Sequence, residues 1–527
     1  MRGLGSRLRG AAAAAALLGC LAAGAGPALA EGTLIWGMPA DADALDPHAM
    51  GGWLGRSVTR QVYESLLEAD LSDPEATYAA LKPALAESWE VSEDGKVWTF
   101  TLRDGVTFHD GTPFDAEAVK YNVDRIMNKE APQYYEKTAA FTTGFTDWIE
   151  SFEVVDDKTV RFTLKKPNFE WFAGSIQSYG PFLIVSPAAL EKYGNEEIAL
   201  HPTGTGPMKF VEREQGVKIV LEPNEDYWGE KSKLDALVFV KLEDPSTRVN
   251  ALLSEEVNMI TVPPWEQIED IKDDGRFVLS TNENVPSIFY IHINTKNPIM
   301  QDKRVRQAMI YGFDRKGMTE ELMRGTATPA YGMLSRGTFA YDPDFTMYEY
   351  DPEKAKALLA EAGYPDGFEV DMEIFKYGTG ELAEQWFQRD MADIGIKVNL
   401  IKNEWIAYLG KWAAGMPEET AMNTMGWGMS IPSWTGVVTR CTNHPPNGTN
   451  SGWYCNEEVD ALLDKAVAEG DQAKAAEYYR EANRLIMEDA AFIPMYNDSQ
   501  PIFLLEDVEG FVNPPENWYD FSTVSVE

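Results

Sequence analysis

Apolar residues recur along this chain with two different periods. Val97–Leu102 and Val160–Leu164 alternate apolar and polar side chains, which is the period of a strand with one buried face. Leu54, Val58, Val62 and Leu66 stand four residues apart, which predicts a helix with one apolar face. Segments of the two kinds alternate to the end of the chain, so the pattern predicts an α/β protein with mixed sheets.

Asp351, Pro352 and Gly363 mark the ends of one predicted helix. Asp is a preferred N-cap, Pro fits the first turn, and Gly often follows the last turn, so we expect a helix from Asp351 to about Ala362. The same periods predict strands and helix starts elsewhere: strands at Thr33–Met38 and Ile396–Leu400, and helices beginning near Trp405, Glu457 and Ala473.

Residues 1–30 have the features of an export signal. Arginines precede the apolar stretch Ala11–Ala23, and Ala28-Leu29-Ala30 fits the small-x-small cleavage rule. We therefore expect a signal peptide, cleavage after Ala30 and a periplasmic protein. Leu17–Cys20 offers an alternative, a lipoprotein site that would leave the chain anchored at Cys20. No later stretch reaches the ~20 apolar residues of a transmembrane helix.

Length, charge and cysteines narrow the class of protein. A chain of 527 residues exceeds one hydrophobic core, so we expect two or three lobes. A net charge of −38 argues against nucleic acid and anionic lipid as partners.

Past the leader, the only cysteines are Cys441 and Cys455. An oxidising compartment would join them as a disulfide; two free thiols are the alternative. Cys441 and His444 lack the second ligand pair of a zinc site.

Known catalytic motifs are missing from the sequence. It contains no Gly-x-Ser-x-Gly, His-Glu-x-x-His or phosphate-binding loop. His109 and Asp110 are adjacent but fall in a predicted turn, where we expect a structural role. The 84 carboxylates leave a glycosidase-like dyad open. We nevertheless expect a binding protein rather than an enzyme, with no cofactor and no metal.

Several strings of residues, in a fixed order, resemble one family. They are Leu45–His48, Ala86–Trp89, Asp94–Phe100, Leu102–Val106, Phe108–Phe114, Gly204–Phe210, Asn224–Trp228, Val305–Ala308, Asp351–Ala355 and Gly426–Gly428. Together they are similar to the extracytoplasmic solute-binding proteins of family 5, the peptide/nickel/oligosaccharide class of ABC transporter components.

The resemblance implies a fold and partners. The fold is the two-lobed periplasmic-binding-protein fold of type II, similar to cluster C, with an inserted domain and two crossovers between the lobes. By that pattern, lobe I comprises 31–75, 205–285 and 496–527, the insertion 76–204, and lobe II 286–495.

The resemblance also implies partners: a small-molecule ligand held between the lobes, and ABC permease subunits at the membrane. We expect a monomer, used for import; a sensory or chaperone-like receptor on the same scaffold is the alternative.

Trp53 and Trp427 are the foremost candidates for ligand contact. Each follows a glycine in a loop-like context, where backbone and indole can approach a ligand. The full set of predicted ligand-binding residues is Met50, Trp53, Tyr377, Trp405, Trp427, Gly428, Met429, Ser430 and Trp434.

Ser430 narrows the expected ligand. In peptide-binding members of the resembled family, an Asp at this position pairs with the free amine of the peptide. A hydroxyl cannot neutralise a buried ammonium, so a free-amine peptide is disfavoured unless another carboxylate substitutes. From sequence we therefore expect an oligosaccharide, a glycoside or a peptide-like compound, with a free-amine di- or oligopeptide as the alternative.

Overall fold

The computed structural model describes residues 32–49, 52–73, 75–177, 182–375, 380–428, 430–516 and 518–527. Across these ranges the chain forms seven-, six- and four-stranded sheets and two short strand pairs. We call the units built on the seven- and six-stranded sheets lobe I and lobe II, and the unit built on the four-stranded sheet the insertion.

Lobe I is built around Thr33–Met38, the first strand of the chain. This strand pairs in parallel with Ala236–Lys241 and Met259–Thr261, and all six of its residues are buried, as expected for a strand covered on both faces. The predicted bounds of this strand are confirmed. In spatial order the strands of the sheet are Phe277–Ser280, Ile502–Leu505, Met259–Thr261, Thr33–Met38, Ala236–Lys241, Lys218–Pro223 and Met208–Glu214.

Lobe II contains the six-stranded mixed sheet. Phe368–Phe375 pairs in parallel with Ile396–Asn403, whereas Ser287–Ile293 is antiparallel to Met422–Gly428. The strands lie in the order Ala327–Pro329, Phe492–Asp498, Ser287–Ile293, Met422–Gly428, Phe368–Phe375 and Ile396–Asn403.

The insertion carries the strands whose alternation is clearest in the sequence. Val97–Leu102 and Thr159–Leu164 are neighbours and bury every second residue, so the predicted period is confirmed. The remaining strands complete this sheet and the two short pairs: Ala86–Val91, Ile149–Asp156, Leu67–Ala69, Leu81–Pro83, Val508–Glu509 and Ser525–Val526.

Helices cover the sheets, and several predicted ends are confirmed. The helix predicted through Leu66 is shorter than expected, because Tyr63 is extended and the helix ends at Val62. Asp351 caps Pro352–Glu361 by accepting from the Lys354 amide. The α-helices are Trp53–Val62, Ala116–Met127, Glu136–Thr146, Trp171–Gln177, Pro187–Glu197, Pro245–Leu253, Ile268–Lys272, Lys303–Tyr311, Arg315–Gly317, Pro352–Glu361, Gly380–Asp393, Trp405–Ala414, Thr435–Thr439, Glu457–Val467 and Gln472–Asp489. Single turns of 3₁₀ or π type lie at Ile198–Leu200, Trp265–Gln267, Met318–Leu322, Pro432–Trp434 and Cys441–Asn443.

Two crossovers connect the lobes. The chain leaves the sheet of lobe I after Ser280 and enters that of lobe II at Ser287; it returns between Asp498 and Ile502. The crossovers are bonded to each other, because the Asn282 amide donates to the Ser499 carbonyl at 3.1 Å. Short paired connections of this kind restrict relative motion of the lobes to bending about one region.

A buried ion pair joins lobe I to the insertion. Arg125, fully buried on helix Ala116–Met127, donates to both carboxylate oxygens of Asp46 at 2.9 and 2.6 Å. It also donates to Nδ1 of His48 at 3.1 Å, so the His48 Nε2–H donates to the Leu183 carbonyl at 2.8 Å. Burial, with Arg125 adding to it, lowers the pKa of His48 to about 4 and keeps the ring neutral.

The predicted disulfide between Cys441 and Cys455 is present, with Cα atoms 4.5 Å apart. It closes a loop of lobe II in which Asn450 donates to the carbonyls of Arg440 and Tyr454.

Among the described residues, no helix has the length and apolar composition needed to cross a bilayer.

Candidate ligand-binding site

Trp427 lies near the C-terminal end of Met422–Gly428, an interior strand of the lobe II sheet. Ser287, the first strand residue after the crossover, pairs with Gly428, and Ile288 pairs with Trp427. The strand Met422–Gly428 therefore ends beside the crossover, and the residues that follow it meet the other lobe.

Aromatic rings extend from this strand end across to the insertion. The Trp427 ring lies 5.7 Å from that of Trp412 and 5.8 Å from that of Trp434, with the Trp427 and Trp434 planes inclined by 30°. The edge of Phe145, on insertion helix Glu136–Thr146, meets Trp434 at 6.0 Å. We call Trp412, Trp427, Trp434 and Phe145 the aromatic row. The successive ring planes are inclined by 49°, 30° and 60°, so the rings pack on one another as an apolar cluster in which Trp427 and Trp434 are partly exposed.

A hydrogen bond crosses the cleft beside the aromatic row. The Ser430 hydroxyl of lobe II donates to Oε2 of Glu516 at 3.0 Å. Glu516 belongs to the C-terminal segment that packs on lobe I, where the Gln61 amide donates to the Tyr519 carbonyl at 2.7 Å. The Glu516 side chain is 0 % exposed. Glu516 thus places a buried carboxyl group against Ser430, a position that itself carries no carboxyl group.

Lobe I contributes arginines from helix Trp53–Val62. Trp53 and Arg56 are partly exposed, and the other residues of the helix are buried. Arg60, one turn beyond Arg56, places its guanidinium 4.7 Å over the ring of Trp518. Burial and the neighbouring Arg56 lower the pKa of Arg60 to about 10, and Glu516 opposes that shift. Arg60 therefore stays protonated at neutral pH beside the Glu516 carboxylate.

Glu170 is a second buried carboxyl group that faces lobe II. Glu170, 8 % exposed, precedes helix Trp171–Gln177 and points at Ser433 and Tyr479. Burial raises its pKa to about 7, and its two oxygens find no hydrogen bond of full geometry within the described ranges. One helical turn further on, a Cβ at Gly174 would lie 2.5 Å from Cδ1 of Ile431, so the glycine lets this helix approach Ile431 without a shift of that side chain.

Residues 80–448 match the family model of the bacterial extracellular solute-binding proteins, family 5 Middle. This chain belongs to that family.

Relatives and solved structures match nearly the whole chain. Over 519 residues it is 31% identical to the glutathione-binding protein GsiB of Salmonella paratyphi A, covering 95% of this chain and 96% of the relative. It is 30% identical over 487 residues to heme-binding protein A of Haemophilus influenzae, covering 89% and 87%. The ABC transporter-associated periplasmic binding protein DppA of Helicobacter pylori, solved with the peptide STSA, superposes with a TM-score of 0.82 at 28% identity, covering 94% and 98%. The two-lobed fold expected from sequence is confirmed, and the chain is a substrate-binding protein of an ABC importer.

The predicted site residues of this solute-binding protein fall into separate groups. Trp427, Ser430 and Trp434 lie together, with Gly428 next to them in the strand. Trp53 lies on lobe I, where its ring is 6.2 Å from that of Trp36. Three predicted residues, Met50, Tyr377 and Met429, lie outside the described residues.

Trp405 has different surroundings from the aromatic row. It begins helix Trp405–Ala414, as expected, but it is 42 % exposed and packs on Phe375 at 4.9 Å and Tyr408 at 6.3 Å. Trp412, near the end of the same helix, is the residue that reaches Trp427.

Sequence reasoning missed four groups at this solute-binding site: Phe145, Glu170, Trp412 and Glu516. Trp412 follows Trp405 by two helical turns and shares its helix face, so the helical period alone does not distinguish the two indoles. Phe145, Glu170 and Glu516 meet residues 430–434 only through tertiary contacts, and no local pattern marks them.

His109 and Asp110, the adjacent acid-base candidates, make structural contacts. His109 Nε2–H donates to the Gly206 carbonyl at 2.9 Å, and Asp110 accepts from Ser186 at 2.6 Å. Among the described residues, no three His, Cys, Asp or Glu side chains come together as a metal site would require.

Proposed function

We propose that this solute-binding protein captures a small peptide-like solute between its lobes and delivers it to the permease of its ABC importer. The observation that carries this proposal is the contact between Ser430 and Glu516 beside the stacked Trp427 and Trp434. It combines an apolar cluster with a buried carboxyl group, and Arg60, whose pKa Glu516 influences, supplies a nearby cation. A zwitterionic ligand with an apolar or planar group complements all three.

Glu516 favours a peptide-like ligand over the oligosaccharide that the sequence also allows. Ser430 carries no charge to pair with a ligand ammonium, but Oε2 of Glu516 lies 3.0 Å from its hydroxyl and can take that part. The relatives named for glutathione and crystallised with a peptide agree with a peptide-like ligand. An oligosaccharide or glycoside is the second candidate, because two indoles inclined by 30° also suit sugar rings.

Binding and closure are coupled in the proposed mechanism. The ligand would dock on the aromatic row while the lobes are apart, and closure would bring Glu516 and Glu170 against residues 430–434. The ligand stabilises the closed form by its differential affinity for it. A micromolar dissociation constant corresponds to about −8 kcal/mol, which one stacked ring and a few buried hydrogen bonds can supply.

Export, oligomeric state and domain bounds are proposed as the sequence predicts them. We propose export with cleavage after Ala30 to the periplasm, or a lipid anchor at Cys20. We propose a monomer with lobe I at 31–75, 205–285 and 496–527, the insertion at 76–204, and lobe II at 286–495. Sensing instead of import remains the alternative role on the same scaffold.

Native mass spectrometry of the freshly purified protein tests the proposal. We expect a bound species with the mass of a short peptide or amino-acid conjugate, released on denaturation. A thermal-shift screen of di- and tripeptides, glutathione and oligosaccharides then ranks the classes, because a ligand selective for the native state raises its apparent stability. Shifts with oligosaccharides alone would replace the first candidate by the second.

A further inference from the structure

Glu170 is buried at the contact between the insertion and lobe II. It lies just before helix Trp171–Gln177 of the insertion and is 8 % exposed. Its carboxyl group meets Ser433 and Tyr479 of lobe II, and Tyr479 is itself fully buried. The carboxyl group therefore belongs to the insertion, whereas the groups that surround its oxygens belong to lobe II.

Contacts on both sides of Glu170 in the chain fix the insertion against lobe II. The Phe169 amide donates to the Val467 carbonyl at 2.9 Å. One helical turn beyond Glu170, Gly174 lies so close to Ile431 that a Cβ there would be 2.5 Å from Cδ1 of that side chain. All of these contacts join the two units across the face at which we expect the lobes to open and close. When the lobes separate, they break together and water reaches the carboxyl group.

The groups that face Glu170 are donors without a full charge. They are the Tyr479 hydroxyl, from helix Gln472–Asp489, and the hydroxyl and amide of Ser433. Only Tyr479 titrates among them; burial and Glu170 itself raise its pKa well above the ordinary value, and Arg440 opposes that rise without reversing it. Tyr479 therefore stays protonated. Within the described ranges, no lysine, arginine or histidine forms an ion pair with Glu170.

Burial outweighs these donors in setting the protonation of Glu170. Hydrogen bonds from Tyr479 and Ser433 favour the charged form, yet burial raises the pKa of Glu170 to about 7. In the open form water solvates the carboxyl group, so its pKa should return towards the ordinary 4.5. Closing the lobes between these pH values therefore takes up a proton. This contribution to closure is fully present below the lower value and is lost as the pH rises through the higher one.

We propose that Glu170, Ser433 and Tyr479 form a proton-dependent latch that holds the insertion on lobe II in the closed form. The latch favours closure at acidic pH and weakens it at alkaline pH. Its effect on ligand affinity rests on the proposed function, because a ligand selective for the closed form binds more tightly when closure is easier. The latch itself needs no ligand, so it can be tested separately.

Double electron–electron resonance between two spin labels tests the latch without a ligand. Lys137→Cys on the insertion and Glu477→Cys on lobe II introduce the labelling sites at exposed positions. Cys441 and Cys455 are joined in a disulfide and do not react with the label. The distance distribution gives the ratio of closed to open molecules at each pH from 5 to 8.

Four labelled proteins are compared, each carrying both cysteines. They are the otherwise unaltered chain, Glu170→Gln, Tyr479→Phe and the control Glu130→Gln, which changes an exposed carboxyl group of the insertion. Glutamine has nearly the shape of a protonated glutamate and stays uncharged at every pH. Phenylalanine keeps the ring of Tyr479 and removes only the hydroxyl donor.

We expect the ratio of closed to open molecules in the unaltered chain to fall about tenfold between pH 6 and pH 8, because one proton is released on opening over that window. Glu170→Gln should be as closed at pH 8 as at pH 6. Tyr479→Phe loses a donor that favours the charged form, so its fall should move to higher pH. Glu130→Gln should behave like the unaltered chain.

A ratio that does not change with pH in the unaltered chain overturns the latch, and so does an equal fall in Glu170→Gln. If Glu170→Gln does not fold, Tyr479→Phe decides the test, and a fall that stays at the same pH or moves to lower pH overturns the latch. Each of these results leaves the proposed function standing, because native mass spectrometry decides ligand capture separately. A pH-dependent ratio without any bound solute would overturn the proposed function and support the latch.

Discussion

The indole rings of Trp427 and Trp434 lie stacked at the edge of lobe II, with their centroids 5.8 Å apart. Trp427 is the next-to-last residue of the strand Met422–Gly428, and Trp434 ends the single turn Pro432–Trp434. Phe145 of the insertion contacts Trp434 on this cluster. A strand end and a tight turn hold these rings more firmly than a flexible loop would.

Trp427→Ala should weaken ligand binding without unfolding the protein. The change removes the central ring of the aromatic row, and one lost stacking contact corresponds to roughly tenfold in affinity. Calorimetry with the best ligand of the thermal-shift screen measures the effect. Trp89→Ala, on the sheet of the insertion, is the matched control and should leave affinity unchanged. Unaltered affinity in Trp427→Ala would show that this indole does not contact the ligand.

Glu170→Gln should flatten the pH dependence of stability. Burial raises the pKa of Glu170 from 4.5 to about 7, so between these values the folded protein binds a proton that the unfolded chain has released. The free energy of unfolding therefore falls as pH rises through this window, by up to about 3 kcal/mol from this group. Glu64 and Glu384, whose pKa values burial also raises to about 7, contribute in the same direction.

Urea unfolding at pH 5 and pH 8 measures that prediction. Glu170→Gln should lose less stability between the two pH values than the unaltered protein, and Glu130→Gln, at an exposed position, should behave like the unaltered protein. An identical pH dependence in Glu170→Gln would show that the carboxyl group does not hold its proton in the folded state.

Arg125→Met should destabilise the junction between lobe I and the insertion. It leaves the Asp46 carboxylate buried without its main cation, and breaking a buried pair costs about 3–5 kcal/mol. Arg161→Met is the control, because its ion pair with Glu153 is solvent-exposed and such pairs contribute about 1 kcal/mol or less. Chemical denaturation provides both values. Asp46→Asn combined with Arg125→Met should cost less than the sum of the single changes, and additivity would argue against the coupling.

Replacing Cys441 and Cys455 by serine should lower stability by up to about 3 kcal/mol, because the short loop between them is no longer closed in the unfolded chain. Thermal unfolding with and without reductant checks this. Reductant should destabilise the unaltered protein and leave the double variant unchanged. A reductant effect of equal size in both proteins would contradict the prediction.

Local pattern was sufficient for the elements and for the cysteine pair. Thr33–Met38 and Val97–Leu102 have the predicted bounds, because apolar period and burial are properties of a few consecutive residues. The capping signal of Asp351 is likewise local. The pairing of Cys441 with Cys455 followed from there being one pair of cysteines past the leader.

Contacts between the lobes could not be derived in that way. Trp405 and Trp412 share one helix, yet only the packing against lobe II shows that Trp412 meets Trp427 and that Trp405 is exposed. Indole rings are apolar wherever they occur, so sequence alone cannot distinguish an inward from an outward position without the neighbouring elements.

By itself, the sequence determined that this is an α/β solute-binding chain with candidate indoles around residue 430. Only the tertiary structure decided which polar group stands opposite them. Ser430 and Glu516 are 86 residues apart along the chain and meet because lobe II packs against the C-terminal segment. The polar groups beside the indoles are therefore set by tertiary packing, and no local stretch of residues encodes them.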